Sequence, residues 1–180
     1  MIFMDKRHII SILLCVVICL GLCGCDLFEP QVLTYTFTTT SPDSFFTQAI
    51  NETEAKAEAE YAMKQLQDYE LQMPIAVDIE DIDDGVGRMD NLSVSQRSRN
   101  AAVFCQTLKD AGYDAMIYCN MYNEAYKLEL ELLSGFPIWY ADYSRFPQTP
   151  YHFDMWQFTS SGKVDGIQGN IDLNIQMLQK

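Results

Sequence analysis

From Ser44 onward the apolar positions follow two spacings, a period of three to four in some stretches and short unbroken runs in others. The longer period marks amphipathic helices, and short β-branched runs bounded by turn residues mark buried strands. Residues 45–49 read as a short strand. Asn51 then caps a helix over residues 52–69, with Ala55, Ala59, Ala62, Met63 and Leu66 on one face. Pro74 opens a strand over residues 75–79. A second helix is expected over residues 95–109, with Gly112 as its stop. Residues 115–118 form the next strand, 123–133 the next helix, ended by Gly135 and Pro137, and 138–141 another strand. After that the helical spacing disappears, and residues 153–159 and 171–173 read as strands joined by glycine-bearing turns. Strands alternating with helices imply an α/β protein with a parallel sheet and crossover helices. No internal repeat interrupts the series.

The first residues carry a different pattern. Lys6, Arg7 and His8 precede an uncharged apolar run over residues 9–22, and Leu22-Cys23-Gly24-Cys25 follows. A basic start, an apolar centre and a small-residue site are the marks of a secretory signal. The ending resembles a bacterial lipobox, with Cys25 as the lipidated residue. The run is shorter than the roughly 20 apolar residues of a spanning helix. An uncleaved anchor and ordinary secretion are the alternatives, and all three export the protein. The expected organisation is a lipoprotein signal over residues 1–25, a linker or unmatched segment over 26–43, and one domain over 44–180. The expected location is the outer or periplasm-facing side of a membrane, held by an N-terminal lipid.

Length and charge narrow the functions. A chain of 180 residues, 48% hydrophobic, is sized for one core. Its formal net charge of -13 argues against a nucleic-acid partner, which would need basic patches. Four of the six cysteines lie within residues 1–25, leaving Cys105 and Cys119, which read as buried thiols rather than a disulfide framework. Two histidines, His8 and His152, cannot build a zinc site. No metal or other cofactor is expected.

The candidate chemistry lies in Pro74-Ile75-Ala76-Val77-Asp78-Ile79-Glu80. Residues two apart on a strand share a face, about 6–7 Å apart along the chain, so Asp78 and Glu80 aim at one point. A glycosidase needs one protonated and one ionised carboxyl beside the bond it cleaves. In α/β barrels such groups gather where the parallel strands end. The other polar residues at the expected strand ends are Tyr118, Asn120, Asp142, Gln157, Asp172 and Asn174, and Trp139 and Trp156 offer faces for stacking on sugar rings. For either tryptophan alone, core packing is the competing reading. The acidic run Glu80-Asp81-Ile82-Asp83-Asp84-Gly85 invites a calcium-loop reading, but aligning Gly85 with the loop's glycine puts Ile82 at a ligand position and Asn91 at the terminal glutamate. A hard cation such as magnesium on the carboxylates is a further alternative.

From Ser44 to the C-terminus the chain resembles the catalytic domain of glycoside hydrolase family 25, the muramidases that cleave peptidoglycan. The resemblance rests on Phe45-Phe46-Thr47-Gln48-Ala49-Ile50-Asn51, on the Asp-x-Glu of Asp78 and Glu80, and on Gly112-Tyr113 leading to Ile117-Tyr118-Cys119-Asn120. It continues through Trp139-Tyr140-Ala141-Asp142-Tyr143, Met155-Trp156-Gln157-Phe158, and the closing Gly166, Gly169, Asp172 and Asn174. It implies a partial (β/α) barrel of the glycosyl hydrolase type, with the first strands missing and the last strands without intervening helices. It also implies that Glu80 is the general acid, that Asp78 is its carboxylate partner, and that Asp172 completes the catalytic group. Tyr118, Asp142, Gln157, Trp139 and Asn120 would line the sugar cleft. The implied partner is the glycan strand of peptidoglycan, cleaved at the β-1,4 bond from N-acetylmuramic acid to N-acetylglucosamine.

The resemblance also has a gap. The family's opening strand, with an Asp-x-Ser motif and a further aspartate, has no counterpart, and neither do the second strand and helix. Asp26 and Asp43 lack the surroundings to replace that aspartate. Residues 32–39 can supply one substitute strand, not two. Two functions are therefore expected: an exported muramidase, or a catalytically inactive, truncated lipoprotein that binds peptidoglycan.

Overall fold

The side chain of Asn51 accepts the Glu54 N–H at 3.0 Å, and the helix begins there as expected. The computed structural model describes residues 13–15, 34–36, 44–81 and 87–177. In chain order the elements are β1 (Leu13–Cys15), β2 (Thr34–Thr36), β3 (Ser44–Phe46), α1 (Glu52–Leu66), β4 (Ile75–Asp78) and α2 (Val94–Asp110). They continue with β5 (Ala115–Asn120), α3 (Met121–Tyr126), α4 (Leu130–Leu133), β6 (Ile138–Ala141), β7 (Met155–Gly162) and β8 (Ile171–Gln176). The proposed signal and linker, with Cys25, lie outside the described residues except for β1 and β2. Among the described residues no helix is long and apolar enough to cross a membrane.

Among the described residues, eight strands join one sheet in the order β1-β2-β8-β7-β6-β5-β4-β3. From β3 to β7 each neighbour runs parallel, the pattern that crossover helices demand. β8 runs antiparallel to β7, and β2 meets β8 antiparallel through Thr34 opposite Gln176. The result is half of a (β/α) barrel, the partial barrel that the resemblance implies, followed by an antiparallel hairpin.

Strand alternation divides the interior in two. Ile75, Val77, Ile79, Ile117, Cys119, Ile138 and Tyr140 face α1 and α2, where they pack with Ala59, Ala62, Phe104, Cys105 and Leu108. Ala76, Met116, Tyr118, Trp139, Ala141 and Met155 form a second cluster on the opposite face. That second face is the inside of the half-barrel, and it carries the candidate chemistry.

Four elements depart most from expectation. The first strand is Ser44–Phe46 rather than 45–49, because Thr47 and Gln48 turn to bond the Glu58 carboxylate on α1. The single helix expected over 123–133 is two short ones. α3 starts directly after β5, where Asn120 and Asn123 form a reciprocal capping box, and the chain breaks at Lys127. There the Glu129 N–H donates to Ser98 Oγ at 2.7 Å and Leu128 enters the core, so tertiary contacts replace the helical bonds. Finally, β7 runs through two register irregularities to Gly162, and β8 reaches Gln176. One extra residue on β7 at each irregularity leaves the alternation of β8 intact.

Candidate active site

β4 is buried along its length and ends in Asp78, whose backbone carbonyl accepts the Thr47 N–H at 3.2 Å. Ile79 stays extended, its N–H donating to the Tyr118 carbonyl at 3.3 Å, and its side chain is buried on the helix side. Glu80 therefore returns to the same inner face as Asp78. Asp78 is half-buried, and its Oδ1 is buried without a hydrogen-bond partner. Burial, reinforced by the charge of Glu80, pushes the Asp78 carboxyl up to about 7. Glu80 Oε1 accepts from Asn120 Nδ2 at 3.4 Å.

The neighbouring strands complete a polar floor. Tyr118 stands opposite Asp78 in register, and its hydroxyl donates to Gln157 Oε1 at 2.8 Å. Burial holds the Tyr118 phenol well above the usual range, so it remains a donor. Tyr143 donates to the same Gln157 oxygen at 2.9 Å. With that carbonyl taken by two phenols, the Gln157 amide N–H groups are left for other acceptors. Trp139 packs edge-on against Tyr118 with ring centroids 4.7 Å apart, and its indole N–H donates to Asn174 Oδ1 at 2.8 Å. Asn174 stands opposite Gln157. Asp172, two residues earlier on β8, shares its face. Because β8 runs antiparallel to β7, its start, with Asp172, lies toward the far end of β7, where Ile171 stands opposite Gly162.

The structure thus gathers Asp78, Glu80, Tyr118, Asn120, Trp139, Gln157 and Asn174 on one face, with Asp172 on β8, four strands from β4. It sets others apart. Asp142 lies past the end of β6 on the parity of Tyr140, facing the helices. Its carboxylate accepts from the Tyr140 hydroxyl at 2.9 Å, the Ser144 N–H at 2.9 Å and the Gln148 N–H at 2.8 Å. Burial opposes its ionisation, but the bonds from Ser144, Gln148 and Tyr140 outweigh it and hold the carboxyl below the ordinary range. Asp142 ties down its own loop. Trp139 is 2% exposed, so it is the floor beneath a ligand rather than a stacking face. Trp156 lies on the helix side and donates to the Asp142 carbonyl.

Of the acidic run, Asp81 is held by Arg97 and Lys127, and residues 82–86 lie outside the described ones. No group of three or more His, Cys, Asp or Glu is placed for a metal ion among the described residues. Cys105 and Cys119 are free and buried, as expected, and burial pushes the Cys105 thiol up to about 12 and Cys119 well above its usual value. Sequence reasoning missed the part played by Tyr143. The signal was present: two residues past Ala141, a tyrosine leaving an inner-face position can fold back over the same floor. It also missed Arg97, which reads as an ordinary helical charge when its distant partners are unknown.

Comparison with known proteins places the family and the fold. The profile of glycosyl hydrolases family 25 matches residues 43–167. No curated protein sequence matches the chain. Among solved structures, the modular autolysin LytC from Streptococcus pneumoniae superposes with a TM-score of 0.61 at 25% identity, over 73% of this chain and 32% of that one. The spore cortex lytic enzyme SleM from Clostridium perfringens gives 0.61 at 21% identity, over 74% of this chain and 48% of SleM. The bacterial lysozyme from Streptomyces coelicolor gives 0.57 at 22% identity, over 73% and 64%. The chain thus spans between a third and two thirds of the length of these proteins.

Proposed function

The chain belongs to glycosyl hydrolases family 25, and we propose that it is a lysozyme-type glycosidase acting on the glycan strands of peptidoglycan. The observation that carries this reading is the Asp78–Glu80 pair. Two carboxyls share one face at a strand end, and Asp78 is pushed up to about 7 by burial and by the charge beside it. A pair of this kind holds one proton and one negative charge together near neutral pH. Glycoside cleavage needs both, the proton for the departing oxygen and the charge to balance the cation developing on the sugar ring. Glu80, beyond the strand end and joined to Asn120, stands nearer the rim and is the group that reaches the glycosidic oxygen. Asp78, deeper, stores the pair's proton and passes it to Glu80, which delivers it to the departing oxygen and leaves the negative charge on Asp78. Asp172 faces the same cleft from β8 and supplies the second negative wall, and Tyr118, Tyr143 and Gln157 orient the sugar.

The substrate class is supported by LytC, which has been solved in complex with a synthetic peptidoglycan ligand. The bond cleaved is the β-1,4 linkage from N-acetylmuramic acid to N-acetylglucosamine. The place of action is outside the cytoplasmic membrane, reached by the signal over residues 1–25 and kept there by a lipid on Cys25.

A second reading is binding without turnover, by an incomplete barrel. It is favoured by one observation: among the described residues β3 is an outer strand of an open sheet, where a closed barrel would have a neighbour. Product analysis decides between them. Purified peptidoglycan is incubated with the full chain or with Glu80→Gln, reduced with borohydride and separated. New reduced muramic acid ends with the wild type alone support the muramidase. Saturable wall binding by both proteins with no new ends establishes the binding function instead.

A further inference from the structure

One buried guanidinium fastens both stems of the segment that follows Glu80. The Arg97 side chain on α2 is wholly buried, and its Nη1 donates to Asp81 Oδ1 at 2.6 Å. Its Nη2 donates to the Met89 carbonyl at 3.1 Å and the Asp90 carbonyl at 3.4 Å, where the chain returns. Asp81 Oδ2 meets Lys127 Nζ at 2.9 Å, from the C-terminal cap of α3. α3 follows β5 without a gap and is capped by Asn120, the residue that donates to Glu80. Asp81 is thus gripped from α2 and α3, one peptide away from Glu80. Burial opposes its charge, but the bonds from Lys127 and Arg97 outweigh this and hold its carboxyl below the ordinary range.

Stability alone is a poor reason for this arrangement. Burying a guanidinium costs desolvation that a single ion pair barely offsets, and Arg97 Nε is left without a partner. An apolar side chain would hold α2 to the sheet at lower cost. What the guanidinium provides is direction, since its planar fork bridges a carboxylate and two carbonyls at once. We propose that Asp81, clamped between Arg97 and Lys127, is the positioning residue that sets the reach of the Glu80 carboxyl toward the glycosidic oxygen. This rests on the muramidase reading above. Asp81 touches no sugar; it acts through its neighbour in the chain.

The test uses the full chain with Asp81→Asn, Lys127→Met and Lys127→Arg, beside the wild type and Glu80→Gln. On soluble, uncrosslinked glycan chains, Asp81→Asn and Lys127→Met lower kcat by about 10- to 100-fold, the size of a misplacement near 1 Å. KM changes by less than about twofold, because only the transition state feels the loss. Lys127→Arg recovers most of the rate. Wild-type kcat in both weakened variants, or a loss confined to KM, overturns the proposal. Amide exchange at Ile79, bonded to the Tyr118 carbonyl, reads the clamp without turnover. If the wild type is no more active than Glu80→Gln, the muramidase reading fails by itself, and exchange decides the rest. Faster exchange at Ile79 with α1 unchanged keeps the clamp; unchanged exchange in both variants rejects it.

Discussion

Asp78 combines three conditions that each favour its protonated form: a strand end inside the sheet, an unpartnered oxygen and a charged neighbour two residues on. The folded carboxyl holds its proton to about 7 against an ordinary value of 3.8. The folded chain therefore binds the proton more tightly than the unfolded chain. The stability this group contributes is complete below 3.8 and is lost as pH rises through 7. In Asp78→Asn the loss of unfolding free energy between pH 4 and pH 8 shrinks by about 2–4 kcal/mol, measured by urea unfolding at both pH values. An unchanged difference would show that Asp78 ionises freely. The same pair predicts that hydrolysis declines as pH rises through 7, when its proton is lost. Asp78, Glu80 and Asn120 were legible in the sequence because a period of two assigns each strand residue to a face by spacing alone. The same count separates Asp142 from them, since it shares the parity of Tyr140. Burial of Trp139 was not legible, because a tryptophan at a strand end reads equally as a floor or a platform. Cys105 and Cys119 should resist alkylation in the folded chain and react after unfolding, read by peptide mass mapping. Both are shut in the core with raised thiol values.

Among the elements, the helices with strong caps were the most readable, and those replaced by tertiary contacts the least. Asn51 and Ser93 each accept an N–H of the first turn, at 3.0 and 3.1 Å, and both helices start where that chemistry sets them. The division between α3 and α4 was hidden, because it depends on Ser98, a distant residue on α2. The direction of β8 was equally hidden: local pattern marks a strand but not its orientation. The β7–β8 hairpin also explains a glycine. A Cβ on Gly162 would stand 2.5 Å from Leu173 Cγ and 3.1 Å from the Ile171 carbonyl oxygen. Gly162→Ala should cost about 1–3 kcal/mol of stability, and adding Leu173→Ala should return part of it. A neutral Gly162→Ala in chemical unfolding would mean that the hairpin is packed more loosely than this. The hairpin carries Asn174, which accepts from Trp139, so its distortion reaches the polar floor as well.

For the whole molecule, the fold divides labour between two faces of one sheet. The helix side holds most of the large apolar residues, and the inner side combines a smaller apolar cluster with hydroxyls, amides and carboxyls. The parallel α/β layering was legible in the strand–helix alternation, and the family and its partial barrel in the resemblance of the motifs at the strand ends. What sits beside β3 was not, since an outer strand carries no local mark of what pairs with it. The net charge of -13 argues against a polyanionic partner such as nucleic acid. The central claim is that Asp78 and Glu80 form one working acid pair. The most direct measurement is reducing-sugar release from purified peptidoglycan at pH 6 by the full chain and by Glu80→Gln at equal concentration. The account predicts steady release by the first and none above background by the second. Equal release by both, or none by either, contradicts it.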